Sequence, residues 1–209
     1  MIYHDQLQTH SAKWEKKIKD AFESVASDKP CHSYERIYQH YLPQDTNAKL
    51  NILEIGLSNY EGEVANGCGS IFAWNKLYPN AMVYGGDWNE DRMITTDKIK
   101  TKIVDQFSTS SLDAFAEWLG SEEMDIIIDD ASHKFWNSQR TYQAIIHKLR
   151  SGGVYLIEDI VKPRAENGWQ QRISDWEVYL GKGLNYSIVD ARPENPNDND
   201  SVMVCITKK

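Results

Sequence analysis

Apolar residues recur along this chain with two different periods, and their alternation predicts its architecture. Near the start, Trp14, Ile18, Phe22 and Val25 follow one another at steps of four, four and three, the spacing of one helix stripe. A second helix is predicted over Ser33 to Tyr41, before the Pro43 turn. Beyond it, short apolar runs bounded by turn residues alternate with helical patterns. The predicted strands are Leu50 to Ile55, Ala81 to Gly85, Thr101 to Val104, Met124 to Ile128, Val154 to Ile157, Tyr186 to Val189 and Val202 to Thr207. Between them, Leu112, Phe115, Ala116 and Leu119 form a helix face ended by Gly120, and Tyr142, Ile145, Ile146 and Leu149 form another ended by Gly152-Gly153. Trp169, Ile173, Trp176 and Leu180 keep helical spacing, which favours core packing over a pocket wall. The alternation argues for an α/β fold with a seven-stranded, mostly parallel sheet and helices on both faces. The last two strands are joined by the segment Pro193 to Ser201, too short and too rich in Pro and Asn for a crossover helix. They are expected to close the sheet as an antiparallel hairpin.

Composition narrows the functional classes. A length of 209 residues with 41% hydrophobic and 26% charged positions suits one globular domain. Residues 1–209 are therefore read as a single domain, a helical segment over 1–45 preceding a core over 46–209. The apolar runs are too short to span a membrane, and no basic stretch followed by an apolar leader opens the chain, so a cytoplasmic protein without membrane contact is expected. Cys31, Cys68 and Cys205 are widely spaced and form no CxxC; they read as buried, reduced thiols. A net charge of -8 opposes a phosphate backbone, so no nucleic-acid partner is expected. The one basic concentration, Lys13, Lys16, Lys17 and Lys19, falls beside Glu15 and Asp20 and reads as a solvated helix face.

The candidate chemistry gathers at strand ends, where open α/β sheets bind their ligands. The first core strand ends in Leu53-Glu54-Ile55-Gly56, whose glycine allows the backbone to approach a ligand at the turn. The following residues, through Gly62, do not supply GxGxxG, which lowers the rank of hydride chemistry. The second strand ends in Gly85-Gly86-Asp87, where a carboxylate can accept hydrogen bonds from both ribose hydroxyls of an adenosine-containing ligand. The third ends in Asp105-Gln106, at the place of an adenine edge. Any one of these could be an ordinary turn former; the succession of three points to S-adenosylmethionine.

A second group of residues follows the next strands: Asp129-Asp130-Ala131-Ser132-His133, then Glu158-Asp159 after Gly152-Gly-Val-Tyr-Leu-Ile. Neighbouring strand residues point to opposite faces, so Asp130 is assigned to a metal and Asp129 to the cofactor side or to supporting hydrogen bonds. Asp130, Glu158 and Asp159 favour a hard cation such as magnesium, which would complete about six ligands with water and acceptor oxygens. His133 is the candidate general base among the histidines. For His32 two readings stay open, a site residue and simple packing. Helix capping and pairing with Lys162 and Arg164 remain open for the acidic residues.

From about Ser27 onward the chain resembles the macrocin and mycinamicin sugar O-methyltransferases, a magnesium-dependent branch of the class I methyltransferases. The carriers are Ser27-Asp28-Lys29 with His32 and Tyr34, Leu53-Glu54-Ile55-Gly56, Gly69-Ser70 with Trp74, Pro79-Asn80-Ala81, Gly86-Asp87, Asp105-Gln106, and the two acidic motifs. The resemblance implies a Rossmann-like methyltransferase core. It places Glu54, Gly56, Asp87 and Gln106 against the methyl donor, with Tyr34, Ser70, Asp105 and Asp129 on the same cofactor side. It assigns Asp130, Glu158 and Asp159 to Mg2+ and His133 to the base. Ala131 stands where the family usually carries Gly, and no room for the extra N-terminal domain of some relatives is expected within these 209 residues. The implied partner is a small-molecule acceptor with a sugar hydroxyl, and a homo-oligomer is possible. A catechol-like phenolic acceptor and a non-catalytic nucleoside-binding protein are the alternatives.

Overall fold

In the computed structural model, which describes residues 2–3, 11–25, 27–57, 69–160, 168–181, 184–191 and 201–209, the chain winds helices against both faces of one sheet. The strands are β1 (Ile2–Tyr3), β2 (Asn51–Ile55), β3 (Met82–Asp87), β4 (Ile99–Ile103), β5 (Met124–Asp129), β6 (Leu149–Ile157), β7 (Asn185–Asp190) and β8 (Val202–Thr207). The helices are α1 (Ala12–Glu23), α2 (Tyr34–Tyr41), α3 (Gly69–Leu77), α4 (Thr109–Trp118), α5 (Phe135–Ile145) and α6 (Gly168–Leu180). Strand order is β1-β7-β8-β6-β5-β2-β3-β4. Every neighbouring pair is parallel except those made by β8, which enters antiparallel between β6 and β7.

The seven expected strands and the closing hairpin are all present. The two-residue β1, parallel to β7, adds an eighth strand that its length hid from any periodicity. One helix boundary differs from expectation. α5 ends at Ile145, a single 3₁₀ turn spans Ile146–Lys148, and Leu149 already pairs with Met124 in the sheet. Gly152-Gly153 therefore lies inside β6, at a register irregularity where Gly152 takes φ +76°, the usual work of glycine in a bulged strand.

Two apolar layers hold the sheet. On one face α1, α2 and α3 bring Trp14, Ile18, Phe22, Ile37, Tyr38 and Trp74 against strand residues such as Ile52, Val83 and Ile126. On the other, Leu112, Phe115, Ile145 and Trp176 pack on Leu53, Ile127 and Tyr155. Complete burial of each such side chain is worth about 1.5–3 kcal/mol. α1 shows how its sequence sets its ends: Ser11 Oγ caps the Trp14 amide at 3.1 Å, and Glu15 lies in the first turn. The outer side of α1 is solvated, with Lys16 paired to Asp20 at 2.6 Å. Cys205 is buried as expected, but Cys31 is exposed because it sits on a short 3₁₀ turn at the surface. Cys68, the residues after Leu57 up to 68, Lys162, Arg164 and the segment 192–200 fall outside the described residues, as does the side chain of Trp169. Among the described residues, no helix is long and apolar enough to cross a membrane.

Candidate active site

The chain diverges on either side of β2, toward β3 and toward β5, so the carboxyl ends of β2 to β5 splay around a crevice. There lies a cavity of about 420 Å³ whose walls include Gly56, Asp87, Asp105, Gln106 and Asp130, within the size range of small-molecule sites. Trp88 and Phe107 also line it and stay 74% and 59% exposed, which puts two flat apolar rings at its rim. Lys134 Nζ lies 4.9 Å from the Phe107 ring centroid.

Backbone shape is tied tightly at the floor. Gly56 takes φ +95°, and a Cβ built there would stand 2.1 Å from the Asp130 carbonyl oxygen. The glycine thus admits the backbone of the β5 loop, whereas the sequence suggested a bound ligand as the close neighbour. Asp130 N donates to the Ile55 carbonyl at 2.8 Å, fixing the two loops together. Asp87 accepts the Leu57 amide on one carboxylate oxygen and the Asn89 amide on the other, each at 2.8 Å. It is thereby held rigid on the cavity wall. Asp105 accepts the Phe107 amide at 2.8 Å.

Gln106 is an organiser of the loop after β5. Its Nε2 donates to Asp129 Oδ1 at 2.7 Å and to Thr141 Oγ1 at 2.9 Å, while its Oε1 accepts the Ser132 amide at 3.1 Å. Both amide hydrogens are used inside the protein. Asp129 is buried against this group, and burial pushes its carboxyl up to about 6, with the Gln106 hydrogen bond acting in the opposite direction.

The acidic cluster contains a cation that comes from the chain itself. Lys29, 2% exposed, places Nζ 2.6 Å from Asp130 Oδ2, 2.6 Å from Glu158 Oε2 and 3.2 Å from Glu54 Oε1. Burial alone would lower the lysine pKa, but Asp130, Glu158, Tyr38 and Glu54 together outweigh it and hold the ammonium well above its ordinary range. Removing one partner from such a buried pair typically costs about 3–5 kcal/mol. Glu54 also accepts Ser70 Oγ at 2.8 Å and Trp74 Nε1 at 3.1 Å. Tyr38 donates its hydroxyl to Glu158, and Tyr34 donates to Asp159 while stacking on His32 with ring centroids 5.4 Å apart.

Asp130, His133 and Asp159 converge on the outer side of the cluster, with one potential ligand atom from each within 4.8 Å of the others. The carboxylate pair suits a hard cation such as magnesium, whose remaining positions would be taken by further oxygens. The placement of the expected site residues thus divides. Gly56, Asp87, Asp105, Gln106 and Asp130 share the cavity wall, whereas Glu54, Ser70, Tyr34 and Asp129 are buried in separate hydrogen bonds, Glu54 with Ser70, Asp129 with Gln106 and Tyr34 with Asp159. Asp130 and Asp159 meet His133, while the Glu158 carboxylate turns to Lys29 and Tyr38. Sequence reasoning missed the roles of Lys29 and Tyr38. The available signal was charge balance, since carboxylates packed this closely require a nearby cation.

The strand order, the antiparallel β8 and the crevice at the ends of β2 to β5 define a class I methyltransferase fold. The fold is shared with the MycE methyltransferase of the mycinamycin biosynthetic pathway, solved in complex with Mg, SAH and mycinamycin VI, at a TM-score of 0.69 and 21% identity over 92% of this chain and 54% of that one. In sequence the chain is similar to a mycinamicin VI 2''-O-methyltransferase of Micromonospora griseorubida, 32% identical over 127 residues, covering 61% of this chain and 30% of the relative. It is also similar to the 8-demethyl-8-alpha-L-rhamnosyl tetracenomycin-C 2'-O-methyltransferase of Streptomyces olivaceus, 28% identical over 129 residues, covering 62% and 33%. The matched region spans about a third of these curated relatives. No family model matches the chain.

Proposed function

We propose that this protein is an S-adenosylmethionine- and Mg2+-dependent O-methyltransferase acting on a hydroxyl of a sugar or sugar-bearing small molecule. The observation that carries the reading is the position of Asp130, which lines the cavity beyond β2 to β5 and also belongs to the cluster with His133 and Asp159. One residue therefore joins a donor-sized cavity to a cation-competent group. The similarity to relatives named as sugar O-methyltransferases supports the choice of acceptor.

In this reading Asp87 binds the donor ribose, Gly56 and Asp105 shape its cavity, and Gln106 with Asp129 keeps the loop at Ser132 in place. Glu54, Ser70 and Tyr34 act through their buried hydrogen bonds, Ser70 to Glu54 and Tyr34 to Asp159. Asp130 and Asp159 would hold the metal, with Glu158 completing the acidic set from its place beside Lys29. Bound magnesium would supply Lewis acidity that eases loss of the acceptor proton. His133 Nδ1 lies 3.8 Å from Asp159 Oδ2, so the carboxylate can stabilise the imidazolium formed when Nε2 takes that proton. Residues 1–209 act as one unit, in which the segment 1–45 contributes Lys29, Tyr34 and Tyr38 to the core.

The test is a screen of sugar and phenol acceptors with labelled donor, with and without magnesium. Methylation of a sugar hydroxyl that stops in excess chelator is expected. Transfer to phenolic diols alone would replace the sugar by a catechol-like acceptor, and donor binding without turnover on any acceptor would leave a nucleoside-binding protein.

A further inference from the structure

We infer that Lys29 is a positioning residue for the metal-binding carboxylates, a built-in cation that neutralises the inner half of the acidic cluster and leaves its outer half to a divalent ion. This inference rests on the methyltransferase reading given above. The two halves differ in depth. Glu54 and Glu158 are 0% and 1% exposed and face the ammonium, whereas Asp130, His133 and Asp159 are partly exposed and face one another. Asp130 joins the halves: its Oδ2 is held by Lys29 at 2.6 Å.

The residue reaches this place for identifiable reasons. Lys29 and Pro30 begin a 3₁₀ turn that precedes α2, and Ser33 closes that turn with φ 57°. α2 then carries Tyr34 and Tyr38 to Asp159 and Glu158. The turn and the helix together thus address all three carboxylates assigned to the metal, Lys29 meeting Asp130 and Glu158, Tyr38 meeting Glu158 and Tyr34 meeting Asp159, from a part of the chain far away in sequence. Groups that orient metal ligands from behind typically govern affinity by about 10–100-fold. A positive charge this close also repels a divalent ion. The two effects predict opposite signs.

The experiment measures manganese binding by electron paramagnetic resonance and S-adenosylhomocysteine binding by calorimetry, on the full chain. Lys29→Ala is expected to weaken manganese binding about 10–100-fold while S-adenosylhomocysteine still binds. Added ethylammonium should restore part of the manganese affinity by refilling the cation site, and ethanol should not. If Lys29→Ala is poorly folded, Lys29→Met combined with Glu54→Gln removes one charge of each sign without touching a carboxylate assigned to the metal. Manganese binding should remain weakened there, because Asp130 has lost its anchor. Tighter manganese binding in Lys29→Ala, reversed by ethylammonium, would mean that the lysine competes with the metal, and the inference falls. Unchanged affinity in either variant overturns it as well, with the methyltransferase reading intact. A native chain that binds S-adenosylhomocysteine but no manganese also overturns it, whereas one that binds manganese but no S-adenosylhomocysteine defeats the methyltransferase reading instead.

Discussion

His133 and Asp159 face each other, Nδ1 to Oδ2 at 3.8 Å, from two adjacent loops in which both residues adopt a left-handed backbone, with φ 53° and 50°. Such a conformation costs a non-glycine residue roughly 1–2 kcal/mol. The loops after β5 and β6 both contain it at the residue whose side chain enters the cluster. Glu158 N donates to the Asp129 carbonyl at 3.0 Å just before the second turn, which helps the sheet hold the two turns in register.

His133→Asn is the substitution that separates chemistry from backbone, because asparagine tolerates the left-handed region far better than alanine. Turnover is expected to fall by roughly 10²-fold or more, the usual loss for a general base, with melting temperature and donor affinity close to native. Single-turnover kinetics at saturating donor measure it. Near-native rates would remove the base role from His133.

Asp87→Asn should weaken donor binding by about 10–150-fold, equivalent to the roughly 1.5–3 kcal/mol of a charge-assisted hydrogen bond. The two amides it accepts, from Leu57 and Asn89, mean that some destabilisation will accompany the loss. Calorimetry with S-adenosylhomocysteine on folded protein, against Lys17→Ala as a surface control, isolates the binding component. Equal affinities in the two variants would show that Asp87 does not hold the ribose.

Gly56→Ala should damage both halves of the site together. The added methyl would stand 2.1 Å from the Asp130 carbonyl oxygen at a backbone angle of +95°, so either the β2 turn or the Asp130 loop must move. A lower melting temperature accompanied by loss of both donor and manganese binding is expected. Retention of native stability would show that the two loops are less tightly opposed than their hydrogen bond implies.

Glu35 provides a pH-dependent contribution outside the site. Burial raises its carboxyl pKa above the ordinary 4.5, with its own backbone amide, Lys19 and Arg36 acting in the opposite direction. A carboxyl whose folded pKa is raised binds its proton more tightly in the folded state, so its contribution is favourable below the unfolded pKa and is lost as pH climbs through the folded one. Glu35→Gln should therefore melt higher than native at about pH 7, and the advantage should vanish toward about pH 4. Thermal melts across that interval provide the check; an advantage that grew on acidification would contradict the burial argument.

The strands around the crevice were legible because each is a short apolar run with an abrupt polar ending, as in Ile126-Ile127-Ile128 before Asp129-Asp130. Leu149 was not, since it fits both the helical spacing from Tyr142 and a strand start, and its pairing with Met124 decides between them. The acidic residues announced a site through their density. Their partners stayed hidden: Lys29 lies 101 residues from Asp130 and 129 from Glu158, and lysine is among the residues least often buried. Gln106 lines the cavity, and its hydrogen bonds to the loop after β5 were not legible in the sequence because they depend on where Ser132 and Thr141 arrive.

The long reach of Lys29 also constrains the order of folding. Contacts that close a span of 129 residues cannot repay their loop entropy until the intervening strands have paired. Desolvating an ammonium without its carboxylates is unfavourable, so the turn carrying Lys29 has reason to stay hydrated until β5 and β6 are in place. The acidic cluster is then expected among the last parts of the chain to set, and under the proposed function any cation-binding competence would appear only once the centre of the sheet is complete.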